Sequence, residues 1–590
     1  MAVGRIGEMV RLLHVLEMLV GFVGKKPWLS AFVLCAVCAV VSRVAVPPFL
    51  HNDDCQIQFL LADGGMFSFY TNVCLASVLG WFSDAVPSVS WYLVLLVGAG
   101  FAAFWCVTGC ALEGAFARRH DGGRFFLWSR LMVLIFCAYY AFECLSYIQY
   151  TQIGIFCVLG AVWLLFSAVE GSRGVFGRRV LYAFGLWLVG VCLRWDVSWV
   201  GWFFCAGFAG ALWLKRASRA AQVRFWAVAV VFVLACLGLK WVQEEAYAGC
   251  PEWEEAVRLQ WDRVAVQDYP DCSGKDKSDA YAALGIRGFE LEAFKSFVYV
   301  PRMDDAVLMS KVREVHQSGA AGLWGVEQLG RLGFPPFDGS RILRMVDSGE
   351  KVAFWVPLGC LSLLLVFCSS RRGVWPLVPV LGGFAGYVAV LVFLDRCVPR
   401  VLNPAVAVAG LAVMAWMPAC ACAAGRRRWV QVAAGFACAG CVVFLCRNYG
   451  WVFRKAFSGQ ERVPAFVFCQ SHPDELFLLL CQPGGTGLLP EGVTGFSREF
   501  LKSTNMFPVG DGWMFYSPVY RAELQRRGLE HPFAALVRDD VWLVAQDEEG
   551  GLPRFVLKLA EDACGCRLEA VRMQSVGGFA FWKFRRAAAF

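Results

Sequence analysis

A chain of 590 residues that is 58% hydrophobic and only 17% charged, with 49 Phe and 24 Trp, lacks the composition of soluble domains, which carry about a quarter charged residues. A mean hydropathy of +0.54 excludes a disordered, collagen-like or soluble-enzyme chain. The net charge of +8 does not point to nucleic acid, because the basic residues lie in twos and threes between apolar runs.

A spanning helix needs about 20 mainly apolar residues to cross a hydrocarbon core about 30 Å thick. Eleven stretches approach this: 28–46, 91–112, 125–144, 153–169, 180–194, 199–214, 223–240, 352–368, 374–394, 401–422 and 429–446. Short positive loops stay cytoplasmic. Arg5, Arg11, Lys25 and Lys26 precede the first stretch, and later clusters are Arg118/Arg119/Arg124, Arg173/Arg178/Arg179, Lys215/Arg216/Arg219, Arg371/Arg372 and Arg426/Arg427/Arg428. All fall on one side if the eleven spans alternate, which predicts a cytoplasmic N-terminus and an outer C-terminus. Counting 66–85 as a twelfth span would invert every later loop, so that stretch is expected on the outer surface or re-entering part-way. The first span lacks a cleavable small-residue site and is expected to stay as an anchor.

The resulting division is a seven-span module over 1–240 with an acidic first outer loop at 47–90, a helical outer loop over 241–351, four further spans over 352–447, and a small outer α/β domain over 448–590. The outer loop carries Glu244, Glu245, Glu252, Glu254 and Glu255, then Asp268-Tyr269-Pro270-Asp271. The last block has strand-like runs at 465–469, 541–545 and 579–584 and a helical run at 519–527. The expected fold is therefore mainly α, a polytopic helical bundle with a small α/β domain.

Most of the 26 cysteines sit inside apolar stretches. Cys35-x-x-Cys38 and Cys438-x-x-Cys441 have a metal or redox spacing but no basic neighbour to favour a thiolate, so they read as small helix-packing residues. Outside, Cys250 with Cys272 and Cys469 with Cys481 are candidate disulfides in an oxidising exterior.

Directly after the first span comes Pro47-Pro48-Phe49-Leu50-His51-Asn52-Asp53-Asp54-Cys55-Gln56. Adjacent carboxylates without a nearby Lys or Arg are unfavourable unless they bind a cation, share a proton or hydrogen-bond a substrate. In an extended segment Asp53 and Asp54 point oppositely, leaving one for a reactant and the other for a metal or for capping a helix starting near Gln56. The competing reading is a solvated pair at a helix entry. His51 is a candidate proton relay beside them. Asp304-Asp305 is a second outer pair that could lend a metal ligand but is expected rather to face water, and Gly484-Gly485-Thr486-Gly487 reads as a turn because the Lys of a phosphate loop is missing.

A single helix with a cytoplasmic N-terminus, an acidic motif in the first outer loop, six further spans and a large outer loop resembles the GT-C superfamily of polytopic glycosyltransferases, up to about Lys351. The run His51-Asn52-Asp53-Asp54, the Tyr150-Thr151-Gln152 start of a later span, the Tyr269-Pro270 segment with Tyr281 and Gly285-Ile286, and the ending Trp582-Lys583-Phe584 are similar to a group of bacterial GT-C-like membrane proteins. The resemblance implies a bacterial cytoplasmic-membrane enzyme that moves a sugar from a polyprenyl-phosphate donor to an outer glycan, lipid or protein acceptor, with inversion. By motif position it implies that Asp53, or Asp54 next to it, is the general base. Adjacent aspartates depart from the aspartate–glutamate pair or spaced acids of many members, so the choice between the two stays open, as does a divalent cation (Mg or Mn) on either.

A lipid-borne donor keeps its phosphate at the interface, where positive side chains at the outer span ends would hold it. Arg194, followed by Asp196 in a very short outer turn, Arg396 and Arg400 are the candidates; each arginine equally fits an interfacial anchor or a local ion pair, and Tyr150 and Gln152 flank another tight outer turn, where they could line the same cavity but read first as helix-end hydrogen-bonding groups. A transporter or flippase of lipid-linked sugars is the alternative of another class, but charges gather at span ends rather than mid-membrane and no internal repeat appears. An outer-face polysaccharide polymerase using Arg263, Arg287 or Arg302 is a third.

Overall fold

The computed structural model describes residues 18, 21–45, 54–62, 65–116, 123–146, 148–169, 173–267, 276–318, 375–393, 399–416, 463–480, 497–510, 514–547 and 551–587. These are mostly helical, with one small sheet, and the chain divides into two compact units. One unit is built from 1–48, 95–240 and 338–456, the other from 49–94, 241–337 and 457–590.

Among the described residues, five helices are long and apolar enough to cross a membrane: Trp91–Phe116, Tyr150–Val169, Gly174–Leu193, Trp195–Leu214 and Arg219–Ala248. The stretches expected at 28–46, 125–144, 374–394 and 401–422 form the helices Pro27–Ala45, Gly123–Ser146, Leu377–Phe393 and Pro399–Trp416, whose apolar parts are shorter. The stretches at 352–368 and 429–446 lie outside the described residues. Residues 66–85 yield a helix only over Val73–Ala85, 13 residues or about 20 Å, short of a membrane core.

In the first unit Tyr150–Val169 is buried along nearly its whole length. It packs against Arg173–Leu193, Ser198–Leu214 and Pro399–Trp416. Without a hydrophobic drive between helices in lipid, close approach depends on small residues. A Cβ on Gly190 would stand 2.7 Å from the Gly154 carbonyl oxygen, so the two backbones meet where neither carries a side chain. The outward faces carry apolar side chains instead, Leu181 at 70% and Leu234 at 62% exposure, as lipid-facing surfaces require. Cys35 and Cys38 are buried free thiols in Pro27–Ala45, in keeping with a packing role, while Cys438 and Cys441 lie outside the described residues.

Two helices run further than hydropathy indicated. Arg173–Leu193 starts seven residues before the apolar stretch, and Arg219–Ala248 continues through Glu244 and Glu245 to Gly249. Hydropathy registers the length in lipid, whereas a helix ends only where a breaker such as the Gly249-Cys250-Pro251 run stops it.

The second unit holds the sheet, in the order β2-β1-β3-β5-β4 with β1 Leu476–Leu480, β2 Met506–Pro508, β3 Val541–Gln546, β4 Leu568–Val576 and β5 Phe579–Arg586. β1 pairs with β2 and β3 in parallel, and β5 runs antiparallel to both β3 and β4. Residues 465–469, expected as a strand, lie in the helix Val463–Gln470. That helix sets Ala465 and Cys469 against Phe477, Leu479, Val544 and Phe581. A five-residue apolar run has no period that separates strand from buried helix, and its neighbours in space decide. The helix expected at 519–527 is Pro518–Arg526, opened by Ser517, whose hydroxyl accepts from the Tyr520 amide at 3.2 Å.

The large-loop helices belong to this unit. Pro251–Gln267 packs on Ala306–Gln317 and Gly288–Lys295, and the Tyr299 amide donates to the Val509 carbonyl at 3.0 Å. Asp304, expected to face water, is paired by Arg521 at 2.5 Å, and its side chain is 16% exposed. Its neighbour Asp305 caps Ala306–Gln317, accepting from the Val307 and Leu308 amides at 2.8 and 3.1 Å. Cys250 and Cys469 are free thiols, and the partners considered for them, Cys272 and Cys481, lie outside the described residues, as do Asp268-Tyr269-Pro270-Asp271 and Gly484-Gly485-Thr486-Gly487.

Candidate functional site

Asp54 opens the helix Asp54–Ala62, two residues earlier than the start expected near Gln56. The residue is wholly buried. The Tyr92 hydroxyl donates to its Oδ1 at 2.8 Å. The same short helix is tied down along its length. Gln56 Oε1 accepts from the Met514 amide at 3.3 Å, and Gln58 Nε2 donates to the Ser90 hydroxyl. Ser90 and Tyr92 stand at the entrance of Trp91–Phe116, so the carboxylate is set by a polar row linking that entrance to a turn near the sheet.

His51 and Asp53 lie outside the described residues, so Asp54 is the member of the acidic motif whose surroundings are defined. Among the described residues no group of three or more His, Cys, Asp or Glu gathers to hold a metal.

Sequence reasoning missed Tyr92. It stands 38 residues from Asp54 and reads only as the first turn of an apolar span. Arg263 was read as one loop arginine among three, yet it is 1% exposed. Its Nε donates to Gln260 Oε1 at 2.8 Å and its Nη1 to Gln267 Oε1. It makes no ion pair among the described residues, whereas Arg287 is paired with Glu290 and Asp562. The Pro251–Gln267 helix that carries Arg263 and the Asp54 helix both pack against the Met514–Tyr516 turn.

In the other unit, Arg194, Asp196 and Tyr150 come together. The guanidinium takes Asp196 in a fork, Nε to Oδ1 at 2.6 Å and Nη2 to Oδ2 at 2.9 Å. Its Nη1 donates to the Tyr150 hydroxyl at 2.8 Å and to Thr151 Oγ1 at 2.9 Å. The tight Trp195–Val197 turn brings Asp196 back onto Arg194, and Lys240 Nζ stands 4.9 Å over the Trp195 ring. With Nε and both terminal nitrogens engaged, Arg194 clips the end of Arg173–Leu193 to the start of Tyr150–Val169. An anion would have to displace Asp196 to be held there.

Gln152 is buried and does not join this cluster; its amide donates to Gln149 Oε1 at 3.0 Å. Arg400 lies in the first turn of Pro399–Trp416, its Nε buried without a hydrogen-bond partner among the described residues. Arg396 lies outside them. No family model, curated protein or solved structure matches the chain.

Proposed function

We propose that the chain is a membrane glycosyltransferase that moves a sugar from a polyprenyl-phosphate donor to a glycan, lipid or protein acceptor on the outer face of a bacterial cytoplasmic membrane. The observation that carries this reading is Asp54, a wholly buried carboxylate at a helix start beyond the first apolar helix, held by a tyrosine hydroxyl. A group so fixed suits a general base. Asp54 takes the proton of the acceptor hydroxyl as that oxygen attacks the anomeric carbon. The anomeric C–O bond breaks on the opposite face, its electron pair leaves on the polyprenyl phosphate, and the configuration inverts. Arg194 lies in the other unit with its guanidinium taken by Asp196 and is given no part in this step; Arg194→Lys, which keeps the charge and loses the fork, tests it on its own.

Arg263 supports the polymerase as a second reading, because a buried guanidinium that meets no carboxylate among the described residues is costly unless an anion joins it. The two readings separate by donor: the first needs a monosaccharide on a polyprenyl phosphate, the second a lipid-linked oligosaccharide as both donor and acceptor.

The cellular test compares envelope glycans from cells carrying wild type and Asp54→Asn at equal expression, with an alkaline-phosphatase reporter fused after residue 590. The reading expects an active reporter and loss of one glycan product in the variant. A silent reporter, or an unchanged glycan profile, contradicts it.

A further inference from the structure

The helices Ser198–Leu214 and Arg219–Ala248 form a hairpin closed by residues 215–218. Near that turn lies a cavity of about 340 Å³, within the range of small-ligand sites. Ala206, Ala209, Gly210 and Trp213 contribute one wall, an i, i+3, i+4, i+7 stripe on one helix face. Phe225 and Trp226 contribute the other, and Gln222 is the polar residue nearest the turn. Phe225 and Leu212 are buried in the floor, while Trp213 and Trp226 stand 68% and 53% exposed. A trough floored by buried apolar groups and flanked by open indoles has the shape and polarity of a hydrocarbon-chain site.

Its end is positive. Gln222 Nε2 donates to the Ala217 carbonyl at 3.1 Å, which fixes the trough's polar end at the turn. Arg219 lies one turn before Gln222 and two before Trp226, on the same face of its helix. Arg216 lies three residues beyond Trp213, held in the turn with a left-handed φ of 54°. Both arginines are exposed and make no ion pair among the described residues. Basic groups at the end of an apolar trough between membrane helices match an anionic headgroup whose chain lies in the trough.

We infer that this hairpin binds one anionic phospholipid, with a chain between Trp213 and Trp226 and its phosphate on Arg216 and Arg219. The inference needs only that these helices lie in a bilayer, not that the chain is a transferase. The trough is also at the opposite end of Ser198–Leu214 from the Arg194–Asp196 pair, so this lipid is not the proposed donor.

The test uses the full chain in nanodiscs containing equal phosphatidylglycerol and phosphatidylcholine, released into detergent for native mass spectrometry. One retained phosphatidylglycerol is expected, preferred over phosphatidylcholine by roughly tenfold to thirtyfold for two arginines. Arg216→Ala with Arg219→Ala should reduce that preference to about twofold or less, and Ala206→Phe should remove retention of both lipids. In wild type, a phosphatidylglycerol bearing a diazirine in its acyl chain should label peptides spanning 206–226. Equal retention of the two lipids overturns the inference. So does diazirine label spread evenly over all apolar helices, or an absence of label at 206–226, as would follow if the 352–368 or 429–446 stretch of this chain filled the trough.

Discussion

In the second unit Asp54 is wholly buried and Asp304 half-buried. Asp304 faces the Arg521 guanidinium, which donates through Nε and Nη2. Burial pushes the Asp304 carboxyl up more strongly than Arg521 draws it down, so the pair is held against its own desolvation. Arg521→Ala is expected to destabilise this unit by about 1–3 kcal/mol, because it leaves a half-buried acceptor without its donor. Measured as shifts in a denaturant midpoint, the double variant with Asp304→Asn should lose less than the two single losses added together; a double loss equal to that sum would show that the pair is not coupled. On Asp54 the Tyr92 hydroxyl donates to Oδ1. Tyr92→Phe should lower transfer activity while Asp54→Asn abolishes it, since a positioning group contributes less than the base itself. Equal activity in Tyr92→Phe and wild type would remove the positioning role. The acidic motif was visible in the sequence as adjacent carboxylates without a local cation; Tyr92 was not, because nothing within one apolar turn marks which distant group its hydroxyl will meet.

The Tyr150–Val169 and Arg173–Leu193 helices meet at Gly154 and Gly190, with no room for a methyl group. Gly190→Ala should destabilise the first unit by about 1–3 kcal/mol through overpacking, read as a lowered midpoint of thermal unfolding in detergent. An unchanged midpoint would mean that these helices are less closely apposed. In the second unit His531 precedes the Ala534–Val537 turn, and its Nδ1 is buried without a hydrogen-bond partner among the described residues. Desolvation lowers its pKa from 6.5, more than neighbouring Asp562 raises it. The unfolded chain therefore binds a proton at a higher pH than the folded one, so stability falls as pH drops below about 6.5 and levels off below the lowered folded value. His531→Gln should flatten that slope in unfolding curves taken between about pH 7 and 5, and a slope that persists undiminished would place its origin elsewhere. At this scale hydropathy located the long helices, because apolar length is a property of the sequence alone. It misplaced the ends of Arg219–Ala248 and the type of Val463–Gln470, because ends depend on breakers and short apolar runs on the surfaces they meet.

The fold of the whole molecule is discontinuous in sequence. Residues 49–94, 241–337 and 457–590 assemble one compact unit, with contacts such as Arg498 on Asp84 and Gln260 on Tyr70 joining segments about 200 or more positions apart. A reading along the chain sees an outer loop, a second loop and a terminal block. It has no local signal that the acidic helix of the first shares a core with the aromatic turn of the last, because that association rests on single contacts such as Gln56 to the Met514 amide. The composition shift at each apolar boundary was legible, and the pairing of the polar pieces across it was not. If the unit carries the chemistry, a change at Asp54 should abolish turnover without altering the fold around it. The most direct measurement reconstitutes the full chain in liposomes with a polyprenyl-phosphate sugar labelled in the sugar and compares label transfer by wild type and Asp54→Asn at matched protein and matched melting temperature. The account predicts transfer by wild type and a loss of about 100-fold or more in the variant, the range of a general base; equal transfer by the two proteins would contradict it.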